Sequence, residues 1–319
     1  MRVLVTGASG FVGRRVCALL GAAGHEVIAA TRVSTAPLAG ASRVLALGEL
    51  DALRDWRPAL EGCEALVHLA ARAHQGDEGA MRDEFFRINV AGTRALTEAA
   101  LAAGLRRVVF VSSAKVYGES SPSAADGLSR AFVESDEPRP AGPYGESKLA
   151  AERLLAAGCA EAGAALTILR PPLVYGPGQK ANLHALMSAI SRGVPLPLAS
   201  VRNARSLVYV EHLADAIACA LRFESGMRLC NLADVDLSTP DLVRALAEGL
   251  GCRAPLLPCP VALLTLLGRL TGRGPAIDRL TGSFVLARSA ASRLLGWQPR
   301  HSLAAAMRAT AEAFRQSQA

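Results

Sequence analysis

The sequence predicts an α/β fold, a doubly wound parallel sheet with a smaller mixed α/β domain resting on its carboxyl edge. Three observations carry that reading. Short β-branched runs alternate with helical patterns through the first half, the spacing of βαβ crossovers that cover a parallel sheet on both faces. A glycine-rich turn follows the first run at once. After Arg170 the regular alternation gives way to prolines and glycines at 171, 172, 176–178, 195, 197, 255, 258 and 260. With 319 residues, 51% of them hydrophobic, the chain can bury the core of one large or two modest domains.

Taken in order, Arg2–Thr6 reads as the first strand and Val12–Ala23 as the helix after it. Glu26–Thr31, Ala65–Ala70, Arg107–Ser112 and Leu166–Arg170 read as further strands, with helical patterns over Met81–Ala103 and Tyr144–Glu161 between them. Two later segments return to the sheet: the helical pattern Glu211–Phe223 and the strand-like Arg228–Leu232. The expected boundary is therefore interleaved. Residues 1–174 with about 211–234 form one domain, and about 175–210 with 235–319 the other.

Composition excludes several classes. Seven cysteines, an odd number without a C-x-x-C pair, argue against a disulfide framework or a cysteine zinc site. The six histidines, His25, His68, His74, His184, His212 and His301, show no pair at ligand spacing, so no metal is expected. Net charge is +7, but the arginines are scattered and aromatics make up only 4%, so no nucleic-acid partner is expected. The strand at Val3 leaves no room for a signal peptide, and a cytoplasmic, reducing compartment is expected. Pro258 to Leu270 carries two prolines and an arginine and falls short of the roughly 20 apolar residues of a spanning helix. Weak surface association is the only membrane role left to it. Glu134, Asp136 and Glu137 read as a solvated acidic loop, and Trp297 as a packing anchor.

The turn Thr6-Gly7-Ala8-Ser9-Gly10-Phe11-Val12-Gly13 has G-x-x-G-x-x-G spacing between a strand and a helix. That is the dinucleotide-binding signature of a Rossmann domain: glycines let the backbone approach a pyrophosphate, whose charge meets free N–H groups and the positive helix end. The second strand ends in Thr31-Arg32, not in a carboxylate. An acidic residue there would select NAD through the ribose 2′-hydroxyl, whereas a guanidinium tolerates a 2′-phosphate, so NADP is favoured over NAD.

Val111-Ser112-Ser113-Ala114-Lys115 closes another strand, and Tyr144-Gly145-Glu146-Ser147-Lys148 opens a helix. Tyr144 and Lys148, four apart, share a helical face. An ammonium there would lower the tyrosine pKa so that the phenol exchanges a proton with a substrate hydroxyl, while Ser113 binds the same oxygen as charge develops. Only three lysines occur, Lys115, Lys148 and Lys180. With arginine at nearly every other cationic position, these three are expected where a compact ammonium does what a guanidinium cannot, and for Lys115 a solvated loop charge is the alternative to substrate contact.

With these motifs the sequence resembles the extended short-chain dehydrogenase/reductase family, in its nucleotide-sugar epimerase and dehydratase branch. The resemblance covers nearly the whole chain. It implies that Ser113, Tyr144 and Lys148 are catalytic, and that Gly7, Gly10, Phe11, Val12 and Gly13 hold the cofactor. Glu49-Leu50 resembles an adenine-contacting pair, Ala70-Ala71 the loop below the nicotinamide, Asn89 the supporting asparagine, and Pro171 a further cofactor contact. In the substrate domain, Arg170 to Pro177 resembles R-P-x-N-V-Y-G-P with Leu173 in the asparagine position. Asn182-Leu183 resembles the pair meeting uridine and phosphate, and Arg205 the arginine gripping the diphosphate, with Lys115, Lys180 and Arg279 as further substrate contacts. A homodimer through two helices per subunit is implied as well.

The dehydratases of this branch carry Asp-Glu after the active-site hydroxyl; here Ala114-Lys115 stands. A methyl and a cation cannot supply that acid and base. Redox chemistry at C4 of a UDP-sugar in polysaccharide precursor synthesis remains, as a 4-epimerase or as a reductase of a 4-keto-6-deoxy-hexosamine. Two readings from other classes are a reductase of a small hydrophobic carbonyl and an idle NADP-sensing module.

Overall fold

A computed structural model describes residues 1–33, 36–51, 55–73, 81–122, 129–180 and 182–318. β1 (Arg2–Thr6) leads through α1 (Phe11–Ala22) to β2 (Glu26–Thr31) and β3 (Arg43–Ala46). A single turn, α2 (Arg57–Leu60), precedes β4 (Ala65–His68). Then comes one continuous helical rod: α3 (Arg82–Phe86), a π-helical segment (Arg87–Gly92) and α4 (Thr93–Ala102). β5 (Arg107–Val111) ends in a short 3₁₀ turn, Ala114–Tyr117, and α5 (Pro143–Glu161) returns to β6 (Ala165–Arg170).

β7 (Leu173–Tyr175), α6 (Asn182–Ser191) and β8 (Arg205–Tyr209) begin a second layer, and α7 (Val210–Ala220) leads to β9 (Met227–Asn231). β10 (Val235–Leu237), α8 (Thr239–Leu250), α9 (Val261–Leu270), α10 (Gly274–Thr281), α11 (Ser289–Leu295) and α12 (Leu303–Gln318) complete the described chain.

Seven strands form one sheet in the order β3-β2-β1-β4-β5-β6-β9, every pair parallel. Strands covered on both faces carry apolar side chains on both. Val3, Val5, Val27 and Val67 face a core closed by α1, α7 and α11, while Leu4, Ile28, Leu66 and Phe110 face one closed by α4 and α5. A mixed three-stranded sheet, β10-β8-β7, lies apart, packed on α6, α8 and α12.

The strand order reverses between β1 and β4, so their connections diverge and leave a crevice beyond their carboxyl ends. A buried pin joins the start of α7, the turn between β9 and β10 and the segment before α12. Asp234, between β9 and β10, accepts the Tyr209 N–H at 2.7 Å and lies 2.6 Å from His212 Nδ1. His212 Nε2 accepts the N–H groups of Arg300 and His301 at 3.1 and 2.9 Å, so the ring carries its proton on Nδ1 and donates it to Asp234. Trp297 is 4% exposed beside this ring, the packing role expected for it. No helix among the described residues is long and apolar enough to cross a membrane.

Candidate functional site

The glycine turn lies at the carboxyl end of β1, on the crevice. Gly7 has φ +68°, and a Cβ on it would sit 2.8 Å from the Ala70 nitrogen. At Gly13 a Cβ would sit 2.2 Å from the Gly7 carbonyl oxygen and 2.7 Å from Ala8 Cα. The turn is thus folded so tightly that α1 rests directly upon it. Gly10 is the N-cap of α1, with no side-chain cap and no acidic residue in the first turn. An uncapped helix start with bare backbone around it fits a pyrophosphate, so the residues present suit a bound dinucleotide. Phe11 and Val12 turn their side chains to the second-layer core. Gly13→Ala is expected to displace α1 by backbone collision, costing about 1–3 kcal/mol of stability and weakening NAD binding roughly tenfold or more; calorimetric titration with NAD measures it.

A buried relay fixes the crevice floor. Thr6 Oγ1 accepts the N–H groups of Leu69 and Ala70, each at 3.2 Å, and its hydroxyl lies 2.7 Å from His68 Nδ1. With its acceptor side occupied, the Thr6 hydroxyl donates to Nδ1, so His68 carries its proton on Nε2, which meets Thr93 Oγ1 at 2.9 Å. Burial, helped by the nearby Lys148 charge, pushes the His68 pKa down to about 3. The ring is a neutral strut joining β1, β4 and α4.

Ser113 follows β5 on the same edge and caps the 3₁₀ turn, its Oγ accepting the Lys115 N–H at 3.2 Å. Pro171 closes this corner by accepting the Ala114 N–H at 2.9 Å. Gly145, in the first turn of α5, approaches so closely that a Cβ would stand 2.7 Å from the Lys115 carbonyl oxygen. That contact sets the start of α5, which carries Tyr144 and Lys148, against the turn that follows Ser113. Tyr144 is half-buried, edge-on to Phe85 at 6.0 Å. Lys148 is 2% exposed; its Nζ donates to the Val111 carbonyl at 2.8 Å and lies 4.1 Å from the centre of the Phe110 ring.

Asn89 sits in the π-helical segment, where the sequence pattern predicts an unbroken α-helix. The wider π turn carries a buried amide that reads in three directions. Its Oδ1 accepts the Arg72 N–H at 2.7 Å, and its Nδ2 donates to the Arg72 carbonyl at 3.1 Å and to Ser147 Oγ at 3.0 Å. Ser147 in turn donates to the Tyr144 carbonyl at 2.8 Å. The loop through Ala70 and Ala71 and the first turn of α5 are thereby held together. Leu50 is buried, and Gly92 lies so near that a Cβ there would meet Leu50 Cγ at 2.7 Å. Glu49 pairs with Arg87 at 3.1 Å on the surface.

Behind Lys148 lies a charged network that the sequence reading did not single out. Arg170 grips Glu152 with two bonds, Nε to Oε1 at 3.0 Å and Nη2 to Oε2 at 2.6 Å. Its Nη1 donates to Tyr117 Oη at 2.8 Å, and that hydroxyl donates to Asn231 Oδ1 at 3.0 Å. Burial pushes the Lys148 pKa down to about 7, while the Glu152 charge, one turn along α5, opposes the fall. Two signals in the sequence point to the network: Glu152 lies four residues after Lys148, and Arg170 ends an otherwise apolar strand.

The substrate-side candidates are less uniformly arranged. Arg205 opens β8, and Nη1 donates to the carbonyls of Arg279 and Gly282 at 2.7 and 3.2 Å. Burial draws its pKa below the ordinary guanidinium value, with Glu119 acting in the opposite sense. Lys115 pairs with Glu119. Lys180, Asn182 and Arg279 are exposed. Leu183 buries its side chain, 3% exposed, in the core with Tyr175 and Met187, so its backbone is the part that can meet a ligand. The acidic stretch differs from expectation. Glu134 is half-buried, its Oε1 accepting the Asn231 N–H at 2.8 Å, and Asp136 binds Arg130 at 3.0 Å, so two of the three carboxylates are structural. Thr31 is buried at the end of β2, with Arg32 exposed beyond it. His74 lies outside the described residues.

A parallel sheet with a glycine turn at its switch point is the architecture of a dinucleotide-binding Rossmann domain, here of the short-chain dehydrogenase type. The chain belongs to the NAD dependent epimerase/dehydratase family, whose model matches residues 3–233. It is 34% identical over 320 residues to the UDP-glucose 4-epimerase of Vibrio cholerae, covering 99% of this chain and 96% of that one. Over 291 residues it is 29% identical to the N-acetyl-alpha-D-glucosaminyl-diphospho-ditrans,octacis-undecaprenol 4-epimerase of Escherichia coli O157:H7, covering 86% and 82%. Among solved structures, MoeE5 in complex with UDP-glucose and NAD superposes with a TM-score of 0.80 at 30% identity, covering all of both chains.

Proposed function

We propose that the protein is an NAD-dependent 4-epimerase of a nucleoside diphosphate sugar, with UDP as the nucleotide and Ser113, Tyr144 and Lys148 as its working groups. The observation that carries this reading is the anchoring of Lys148. Its ammonium is pinned to the Val111 carbonyl, two residues before Ser113 and one helical turn from Tyr144, beside the crevice on which the glycine turn opens. The relatives named above have in common a sugar bearing a diphosphate and chemistry at C4, which supports the substrate class.

NAD, held at the turn of Gly7, Gly10 and Gly13, would supply reversible hydride transfer at C4 of the sugar. This chain's residues do the rest. Tyr144, its phenol made more acidic by the Lys148 cation, removes the proton from the C4 hydroxyl and later returns it. Ser113 donates to the same oxygen as it gains carbonyl character. Asn89 and Ser147 hold the first turn of α5, so that the phenol stays in register with the loop at Ala70 and Ala71. Gly7, Gly10 and Gly13 would admit the pyrophosphate, Glu49 and Leu50 would border the adenine, and Pro171 would back the nicotinamide end. Arg205, with Lys115, Lys180, Asn182, Arg279 and the Leu183 backbone, meets the sugar diphosphate; a guanidinium drawn down by burial gains most from an anion. Ala114 and Lys115 in place of a carboxylate pair speak against dehydration. The exposed Arg32 leaves a 2′-phosphate acceptable at the ribose, so NADP remains part of the proposal. A homodimer is part of it as well, formed through α4 and α5, whose shared groove is lined by Arg94, Glu98, Leu101, Arg153, Leu154 and Glu161. Alternating charge of this kind is self-complementary across a two-fold axis.

The test is to release and identify the dinucleotide carried by the purified protein and to incubate the protein with UDP-glucose and UDP-N-acetylglucosamine without added cofactor. Retained NAD or NADP, with conversion to the C4 epimer, is the expected result. Turnover only with a 4-keto sugar and a stoichiometric supply of reduced cofactor would replace epimerisation with reduction.

A further inference from the structure

α9 is apolar on both sides. Its inner side, through Val261, Leu264 and Gly268, meets the second-layer core and α10: Leu264 is 5% exposed, and a Cβ on Gly268 would meet Ile277 Cγ1 at 2.7 Å. The outer side carries Leu263, Leu266, Leu267 and Leu270 at 45, 54, 49 and 74% exposure, and Leu257, in the segment leading in, is 49% exposed. The four helix positions run i, i+3, i+4, i+7, a second apolar stripe where a helix on a protein surface normally has one and a polar back.

The chain segment that carries this stripe is mostly cationic. Between Gly251 and Leu286 the chain holds Arg253, Arg269, Arg273 and Arg279 against Asp278 alone, and all five are exposed. A leucine stripe with Arg269 in the last turn of its own helix and Arg273 just beyond the end of that helix complements the boundary between acyl chains and anionic headgroups. It does not suit a second copy of the chain, which would set one cationic segment against another.

We propose that the α9–α10 hairpin docks on an anionic lipid bilayer, its leucines entering the acyl boundary and its arginines lying among the lipid phosphates. The hairpin ends where the carbonyls of Arg279 and Gly282 hold Arg205. Docking therefore sets the mouth of the diphosphate groove at headgroup level, and that clause alone rests on the function proposed above.

The experiment is cosedimentation of the full-length protein with vesicles of phosphatidylcholine, with and without phosphatidylglycerol, at low and high salt. Binding is expected to the mixed vesicles and to weaken with salt. Leu266→Glu with Leu270→Glu should lower the partition constant roughly tenfold or more, and Arg269→Ala with Arg273→Ala should weaken binding to phosphatidylglycerol only. These side chains are exposed, so an unchanged thermal midpoint and unchanged turnover of a soluble sugar nucleotide are expected in both variants. Equal partitioning of the leucine variant and the wild type, or no binding at low salt, overturns the proposal. So does a smaller oligomer in sedimentation velocity on the leucine substitution, which would give the face to a second copy. Loss of epimerase activity with vesicle binding intact would count against the proposed function and leave this inference standing.

Discussion

Tyr144→Phe is expected to lower kcat by roughly 10²–10⁴-fold with little change in KM for the sugar nucleotide. The substitution removes one hydroxyl from a ring that keeps its edge-on contact with Phe85, and Ser147 still donates to the backbone carbonyl at that position. Binding and the first turn of α5 are thus preserved while the proton acceptor is lost. A loss confined to kcat marks an interaction made only in the transition state. The bound dinucleotide gives a second readout, since it should still be present in the variant yet fail to be reduced by substrate. Steady-state kinetics and the near-ultraviolet absorbance of the protein after substrate addition measure both effects. A variant within about twofold of wild type would show that another group moves the proton and would remove Tyr144 from the mechanism.

The parallel sheet was legible because buried parallel strands leave short β-branched runs between helical patterns, and because a glycine turn directly after β1 fixes where the sheet reverses. Arg228–Leu232, strand-like in sequence, pairs with β6 as β9, shifted by one residue. β3 went unread. Its four residues, Arg43 to Ala46, pair on one side only and are half-buried or exposed, so they lack the apolar run that marks an inner strand. The π turn around Asn89 was equally hidden, because a single widened turn leaves the apolar spacing of the flanking helix intact. Glu134 was misjudged because local sequence tells polarity, whereas burial is decided by elements far along the chain. In Glu134 the deciding partner is the β9 backbone, 97 residues away.

The same long-range logic makes Glu152 the residue whose truncation should most damage stability. Its side chain and that of Arg170 are 5% and 4% exposed. Burial works against the Arg170 charge, but the Glu152 bonds and charge outweigh it and hold the guanidinium pKa above its ordinary value. Glu152→Ala strips that compensation and leaves a desolvated cation, an effect of about 3–5 kcal/mol, measurable by denaturant unfolding. The control is the double variant Glu152→Leu with Arg170→Met, which removes both charges and keeps volume; it should recover much of the loss, because an apolar pair needs no compensation. Tyr117 retains its bond to Asn231 in that variant. A double variant as unstable as the single would mean that packing, not an abandoned charge, sets the cost. Glu152→Gln separates stability from chemistry. Without the carboxylate, burial draws Lys148 below about 7, so less of it is charged at neutrality and the Tyr144 phenol loses its acidifying neighbour. The limb of the rate profile governed by Lys148 should then move to lower pH, and activity at pH 7 should fall in a protein that remains folded. An unshifted profile would confine Glu152 to holding Arg170.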